Sequence, residues 1–458
     1  MTKYVSTRGD SSELSFADVL LTGLAPDGGL YVPMQWPATI SADPGLGYAE
    51  FAAEVMWPFV SGSIERDEFQ EISSAAYATF TDDEVIPIRP LADGIELVEL
   101  FHGPTLAFKD VAMQMLGRLF DHELERRRTR TTIVGATSGD TGSAAIEAFR
   151  DRENVDIFIL HPHGRTSEVQ RRQMTTVDAA NVFNIAIEGT FDDCQDIVKA
   201  MFADVAFRER VKLGAVNSIN WARVMAQVVY YHWAVAQHPD ANGGRVSVTV
   251  PTGNFGNVFA GRVAQRTGAG IDQFVVASNR NDILTQFFNS GSMTIGEVEP
   301  SLSPSMDIQV SSNLERLIYE LFDNNGARVS EMMQHFRARG EVTFPPAVAK
   351  KVSAGWSGHS LTDDETLAVI LDVYEQDGVL VDPHTAVGIG AARRELNASG
   401  RNIVMATAHP AKFPDAVEKA TGIRPELPKH LSDLYEREER FEVLPNDLAT
   451  VQEFVEAR

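Results

Sequence analysis

Arg-Val-Ser-Val-Thr-Val-Pro-Thr-Gly-Asn-Phe-Gly-Asn, residues 245–257, decides how this chain folds. Residues 245–250 are a short run rich in valine, which reads as a buried strand. Pro251 and Gly253 end that run, and the residues after Asn257 take up helical spacing. Strand, glycine turn and helix together make half of a parallel-sheet unit. The two glycines let backbone amides turn inward, and the helix start adds unpaired N–H groups and the positive end of its dipole. Gly253, Asn254, Phe255, Gly256 and Asn257 are therefore a candidate phosphate cradle. The segment lacks the Gly-Lys-Ser/Thr of a P-loop and the Gly-x-Gly-x-x-Gly of a dinucleotide site. Taken alone it also reads as a plain Gly-Asn turn.

The same rhythm extends in both directions. Strand-like runs at 131–136, 155–160, 182–187 and 274–277 are each followed by a helical stretch. This alternation predicts an α/β protein with two open, twisted, mostly parallel sheets flanked by helices. The expected divisions are an N-terminal region at 1–90, a smaller α/β domain at 91–240 and a larger one at 241–458. Residues 23–33 read as a double turn leading into a short strand. Residues 290–360 read as helical insertions, with Trp356-Ser-Gly-His as a loop.

The bulk numbers narrow the function. A chain of 458 residues exceeds one ordinary core, so more than one domain is expected. Acidic side chains outnumber basic ones, 64 to 40, which argues against a nucleic-acid partner. An anionic small molecule remains compatible if a few cations gather in one cleft. The single cysteine, Cys194, leaves no intrachain disulfide and suits a reducing compartment. No long apolar run points to a membrane, and the expected location is the cytoplasm. No zinc-ligand spacing is present, so no metal is expected. No Gly-x-Ser-x-Gly suggests a serine hydrolase.

Four further segments carry candidate chemistry. In His-Gly-Pro-Thr-Leu-Ala-Phe-Lys-Asp (102–110), Lys109 follows a tight turn and small or apolar residues. A lysine desolvated there has a lowered pKa and a free amine, as a Schiff-base lysine requires; a snorkelling surface lysine fits the position too. Ala-Thr-Ser-Gly-Asp-Thr-Gly-Ser (136–143) is a second strand-to-helix junction. Ser138, Thr141 and the amides around Gly139 and Gly142 suit a carboxylate or phosphate, and Asp140 suits a ligand hydroxyl or amine. The bland alternative is an N-capping loop, with Asp140 or Thr141 as the cap. Asn-Ser-Ile-Asn-Trp-Ala-Arg (217–223) opens a long helix and places Ser218, Asn220 and Arg223 near its start, where arginine suits an oxyanion or simply faces solvent. In Ala-Thr-Ala-His-Pro-Ala-Lys-Phe-Pro (406–414), Thr407 can offer a hydroxyl to a heteroaromatic nitrogen, whereas His409 and Lys412 read as loop residues. Two anion-suited loops at strand carboxyl ends suggest a ligand held between the two α/β blocks.

Together these motifs resemble the threonine synthase family, fold-type-II pyridoxal-phosphate enzymes related to the tryptophan synthase β fold. Further matching stretches are 23–33, 189–196, 278–284 and 306–313, and the N-terminal region resembles the longer bacterial and fungal branch. The resemblance implies pyridoxal 5'-phosphate as cofactor, Lys109 as its Schiff-base lysine, residues 253–257 at its phosphate and Thr407 at its ring nitrogen. It places Asp140, which stands where related enzymes carry Asn, near the cofactor hydroxyl. Ser138, Gly139, Thr141 and Gly142 are then expected at the substrate carboxylate or phosphate, with Ser218 and Arg223 at the substrate phosphate. The implied reaction turns O-phospho-L-homoserine and water into L-threonine and phosphate, in a monomer or homodimer. Competing expectations are a related phospholyase, a serine or threonine dehydratase, and a cofactor-free binding protein.

Overall fold

The computed structural model describes residues 2–214, 216–237, 245–396 and 400–458. Two sheets organise these residues. The larger runs, from edge to edge, through Trp356–Ser360, Gln273–Ser278, Val246–Pro251, Arg401–Ala406, Ile95–Glu99 and Ile88–Pro90. All its neighbours are parallel except the last pair. The smaller runs through Glu442–Pro445, Val182–Glu188, Val155–Pro162, Thr131–Ala136 and Leu213–Gly214, parallel throughout. Val246–Pro251 is buried at every position, the pattern of a strand covered by helices on both faces.

Chain order and sheet membership part company twice. Ile95–Glu99 pairs with Arg401–Ala406 in the larger sheet, although sequence position groups it with 91–240. Glu442–Pro445 returns to pair with Val182–Glu188 in the smaller sheet. Both pairings join strands hundreds of residues apart, and a strand's own residues do not encode such a partner.

The segment Trp356-Ser-Gly-His, expected to be a loop, is instead the start of the edge strand Trp356–Ser360. Its polar residues hide the alternation that marks strands. Tertiary contacts supply what the pattern lacks. The Trp356 ring stacks on Phe274 at 4.6 Å and on Phe288 at 5.1 Å. Asn289 donates to the Gly358 carbonyl at 2.9 Å, and Glu395 accepts from Ser357 at 2.8 Å and pairs with His359 at 2.6 Å.

The first 90 residues pack into the main core. Helices Tyr48–Val60 and Arg66–Tyr77 lie against one another and against the helices Trp221–Gln237 and Lys109–Arg127, respectively. Trp221 donates its indole N–H to the Tyr4 hydroxyl at 3.1 Å, and that hydroxyl donates to the Phe59 carbonyl at 2.7 Å. A buried Tyr and Trp each keep a polar partner in this way, so this pair packs without stranding a donor.

Candidate active site

Lys109 opens the helix Lys109–Arg127, and the turn before it is tightly specified. Thr105 donates its N–H to Asp110 Oδ2 at 2.8 Å and its hydroxyl to Oδ1 at 2.7 Å. A Cβ on Gly103 would lie 2.4 Å from the Asp110 Cβ, so only glycine fits there. Burial pushes the Asp110 carboxyl up to about 6. Phe108 N–H donates to the Thr407 carbonyl at 2.9 Å, and His409 N–H to the Leu106 carbonyl at 3.0 Å. The Lys109 and Thr407 segments, about 300 residues apart in sequence, are thus laced together by backbone bonds.

Asp140 is the hub of the site. It opens the helix Asp140–Phe149 and is 5% exposed. Its Oδ2 accepts from Lys109 Nζ at 3.1 Å and Ser305 Oγ at 3.2 Å. Its Oδ1 accepts from Gln170 Nε2 at 2.8 Å and meets Lys412 Nζ at 3.0 Å. Burial works against the charge, but the Lys109 and Lys412 ammoniums outweigh it and hold the carboxyl well below its usual range. Burial also lowers the Lys109 pKa; Asp140 opposes this, while Lys412 and Arg223 reinforce it. The helix start beneath Lys109 disfavours its positive charge as well.

Neither Asp140 nor Thr141 caps the junction. The Thr137 hydroxyl does, accepting from Gly139 N at 3.0 Å and Gly142 N at 2.9 Å. Ser138 is exposed and Thr141 half-buried, so both remain open to a ligand at the mouth of the loop.

The 253–257 loop has the features of an anion cradle. Phe255 sits at φ +61°, which turns the chain into the helix Gly256–Arg266. Among the described residues, none of the backbone N–H groups from Gly253 to Asn257 has a protein acceptor. The loop is braced from outside: Ser311 Oγ donates to the Gly253 carbonyl at 2.7 Å, and Tyr230 and Tyr231 hydroxyls donate to Asn257 Oδ1 at 2.6 and 2.7 Å. Asn257 Nδ2, buried, keeps no protein partner. Consecutive unsatisfied donors at a helix start fit a phosphate group.

Arg223, in the first turn of Trp221–Gln237, is 3% exposed. It donates to the Val216 carbonyl at 3.3 Å, its Nε has no partner, and no carboxylate pairs with it among the described residues. Burial alone pulls its pKa down to about 10. A buried cation without a counter-ion is costly, and an anionic ligand would satisfy it. Asn220 is not part of this opening: its side chain donates to the Leu20 carbonyl and accepts from Ala222 N. Ser218 is half-buried beside the 253–257 loop, tied to it through Asn313. Thr407 is 5% exposed, and its N–H donates to Thr385 Oγ1 at 3.2 Å.

Several residues here carried no signal in the sequence. Lys412 reads as a turn lysine yet is 0% exposed and joins the central carboxylate. Gln170, Ser305 and His384 come from three separate elements; His384 Nδ1 pairs with Asp382 at 2.7 Å while its Nε2 accepts from Ser305 N at 3.2 Å. Only tertiary structure brings them to Asp140.

Comparison with known proteins agrees with this geometry. Three family models match: the threonine synthase N terminus over residues 3–77, pyridoxal-phosphate dependent enzymes over 97–338, and the threonine synthase C-terminal region over 385–455. The threonine synthase of Pseudomonas aeruginosa is 52% identical, with 99% of this chain and 98% of that protein covered. That of Corynebacterium glutamicum is 42% identical, at 99% and 98% coverage. The crystal structure of pyridoxal-phosphate-bound threonine synthase from Brucella melitensis superposes with a TM-score of 0.96 at 48% identity, covering 100% of this chain and 99% of that one. With these matches spanning the whole chain, this chain belongs to the threonine synthase family of pyridoxal-phosphate-dependent enzymes.

Proposed function

We propose that the protein converts O-phospho-L-homoserine and water into L-threonine and phosphate. One observation carries the substrate assignment: the buried cations Lys109, Lys412 and Arg223 outnumber the carboxylates that face them, Asp140 and Asp110. That surplus of buried positive charge calls for anions, and the open amides at 253–257 supply a separate phosphate position. Two anion sites match a cofactor phosphate and a substrate phosphate.

When bound, pyridoxal phosphate supplies an electron sink for negative charge at the substrate's reacting carbons. The protein's residues do the rest. Gly253, Asn254, Phe255, Gly256 and Asn257 would hold the cofactor phosphate, Thr407 would serve its ring nitrogen, and Asp140 its ring hydroxyl. Ser138 and Thr141 receive the substrate carboxylate; the Gly139 and Gly142 amides, expected there too, donate instead to the Thr137 hydroxyl and shape the loop. Arg223, with Ser218, grips the phosphate that leaves. Lys109 Nζ takes the proton from Cα and, tethered beside the substrate, moves protons at Cβ and Cγ before water adds at Cβ.

We also take the chain to work as an N-terminal positioning region, 1–90, and two α/β bodies with the site between them. Among the described residues, no helix is long and apolar enough to cross a membrane, and the only cysteine is buried and unpaired. We take the protein to act in the cytoplasm, as a monomer or homodimer.

The deciding experiment supplies the cofactor-loaded protein with O-phospho-L-homoserine and measures phosphate and threonine together. Equal release of both is expected. Release of ammonia and a keto acid without threonine would instead make it a dehydratase or phospholyase. The Lys109→Ala variant should lose turnover entirely.

A further inference from the structure

Lys109 and Lys412 share one carboxylate but are held in different ways. Lys412 Nζ meets Asp140 Oδ1 at 3.0 Å, donates to the Thr105 carbonyl at 2.6 Å and to Gln173 Oε1 at 3.0 Å, and its side chain is 0% exposed. An ammonium has three N–H donors and no acceptor, and here two of them are hydrogen-bonded to oxygens while a carboxylate lies at ion-pair distance, surroundings that suit the protonated form. A neutral amine in that place would turn a lone pair toward an oxygen in a dry site. Lys109 Nζ has one protein acceptor, Asp140 Oδ2 at 3.1 Å, and its side chain is 11% exposed. It can give up a proton without stranding its partner, because Asp140 keeps Lys412, Gln170 and Ser305.

We propose that Lys412 is a positioning residue: a fixed, buried ammonium that keeps Asp140 ionised and in place, so that of the two lysines only Lys109 exchanges its proton. This rests on the reading of Lys109 as the proton-moving lysine. Asp140 serves both lysines from the start of its own helix, and its two oxygens divide between them. Lys412 therefore acts on Lys109 through that carboxylate and also directly, as a neighbouring positive charge.

The charged groups around Lys109 set the signs to be expected. Asp140 favours its protonated form, whereas Lys412 and Arg223 oppose it. His384 acts on Asp140, and Asp110, on the Lys109 helix itself, acts on Lys412 through its own carboxyl. Removing the Lys412 charge takes away a repulsion and leaves the whole of Asp140 to Lys109, so Lys109 should bind its proton more tightly. Removing the Asp140 charge should do the opposite.

The test uses the full-length chain freed of cofactor. The pH dependence of Lys109 acylation by acetic anhydride is followed by mass spectrometry of the peptide that carries it. Lys412→Met should move the Lys109 titration upward by about one pH unit, roughly a tenfold slower acylation at fixed pH below the transition. Asp140→Asn should move it downward, and Lys412→Arg should stay close to the parent. The double variant Asp140→Asn/Lys412→Met should lie between the two singles. An unchanged or downward titration in folded Lys412→Met overturns the proposal, as does Lys412→Arg behaving like Lys412→Met. If Lys412→Met does not fold, Asp140→Asn decides: a downward shift supports the coupling and no shift refutes it. Should Lys109→Ala keep its turnover while these shifts appear, the functional reading fails and the electrostatic coupling stands.

Discussion

The side-chain amide of Asn313 donates to the carbonyl of Asn254 at 3.0 Å, while the Asn313 backbone N–H donates to the same oxygen at 3.1 Å. The same amide also reaches the Ser218 carbonyl at 3.2 Å. One buried residue thus ties the 253–257 loop to the segment that carries Ser218. Arg316, a turn further on, is fully buried and donates to Asn313 Oδ1, to the Ile219 carbonyl at 2.6 Å and to the Tyr31 carbonyl at 3.0 Å. The N-terminal region therefore reaches the 253–257 loop through two side chains.

Asn313→Ala should loosen that loop without emptying the core. Losing these side-chain bonds costs about 1–3 kcal/mol, and if the loss falls on the bound state the cofactor dissociation constant rises about tenfold or more. Equilibrium dialysis against pyridoxal phosphate measures it. An unchanged affinity would show that the loop holds its shape unaided.

Arg223→Met separates binding from stability. If Arg223 grips the substrate phosphate, its loss should raise KM by at least about thirtyfold, in line with 2–5 kcal/mol for one partner of a buried charge pair. The ligand-free protein should be no less stable, because the change removes a buried cation that has no carboxylate partner. Thermal melting with and without substrate reads both. A large loss of stability in the ligand-free state would mean that Arg223 is structural.

Gly139→Ala should damage the site through Gln170. Gly139 sits at φ +149°, and an added Cβ would lie 2.4 Å from the Gln170 Cδ. Gln170 cannot yield without releasing Asp140, which it holds at 2.8 Å. A stability loss of about 1–3 kcal/mol is expected for the strain and crowding, together with a fall in kcat. Denaturant titration alongside steady-state kinetics tests this, and a variant with the parent's stability and kcat would refute it.

His232 predicts an acid-side loss of stability. Burial pulls its pKa from 6.5 down to about 4. The Thr267 hydroxyl donates to the Val263 and Ala264 carbonyls, so it accepts from the neutral His232 Nε2–H at 2.9 Å. Between those two pH values the unfolded chain binds a proton that the folded chain refuses. The contribution is therefore whole above about pH 6.5 and is lost as the pH falls toward 4, up to roughly 3 kcal/mol. His161 and His409 shift in the same direction. Urea unfolding at pH 7 and pH 4.5 should show a smaller difference for His232→Gln than for the parent; an equal difference would rule out a part for His232.

Local grammar made much of the site readable. The run at 245–250 and the glycine turn after it announced a strand, a cradle and a helix, and Val246–Pro251 with Gly256–Arg266 are those elements. Lys109 stood out because a tight turn precedes it and a helix follows. Trp356–Ser360 escaped notice because an edge strand of polar residues draws its stability from stacking and edge pairing, neither of which leaves a pattern in its own residues. Lys412 escaped for a similar reason. A lysine in a turn looks the same whether water or a carboxylate receives it.

By its sequence alone this protein determined its strand-helix alternation, its phosphate-suited turns and its family, since each rests on short-range spacing or on ordered motifs. Only the tertiary structure decided which strands share a sheet, that Arg223 is buried with no carboxylate partner among the described residues, and that Lys109 and Lys412 meet at one carboxylate. Those are relations between residues as much as hundreds of positions apart, and burial, which gives them their energy, exists only once the chain has closed around them.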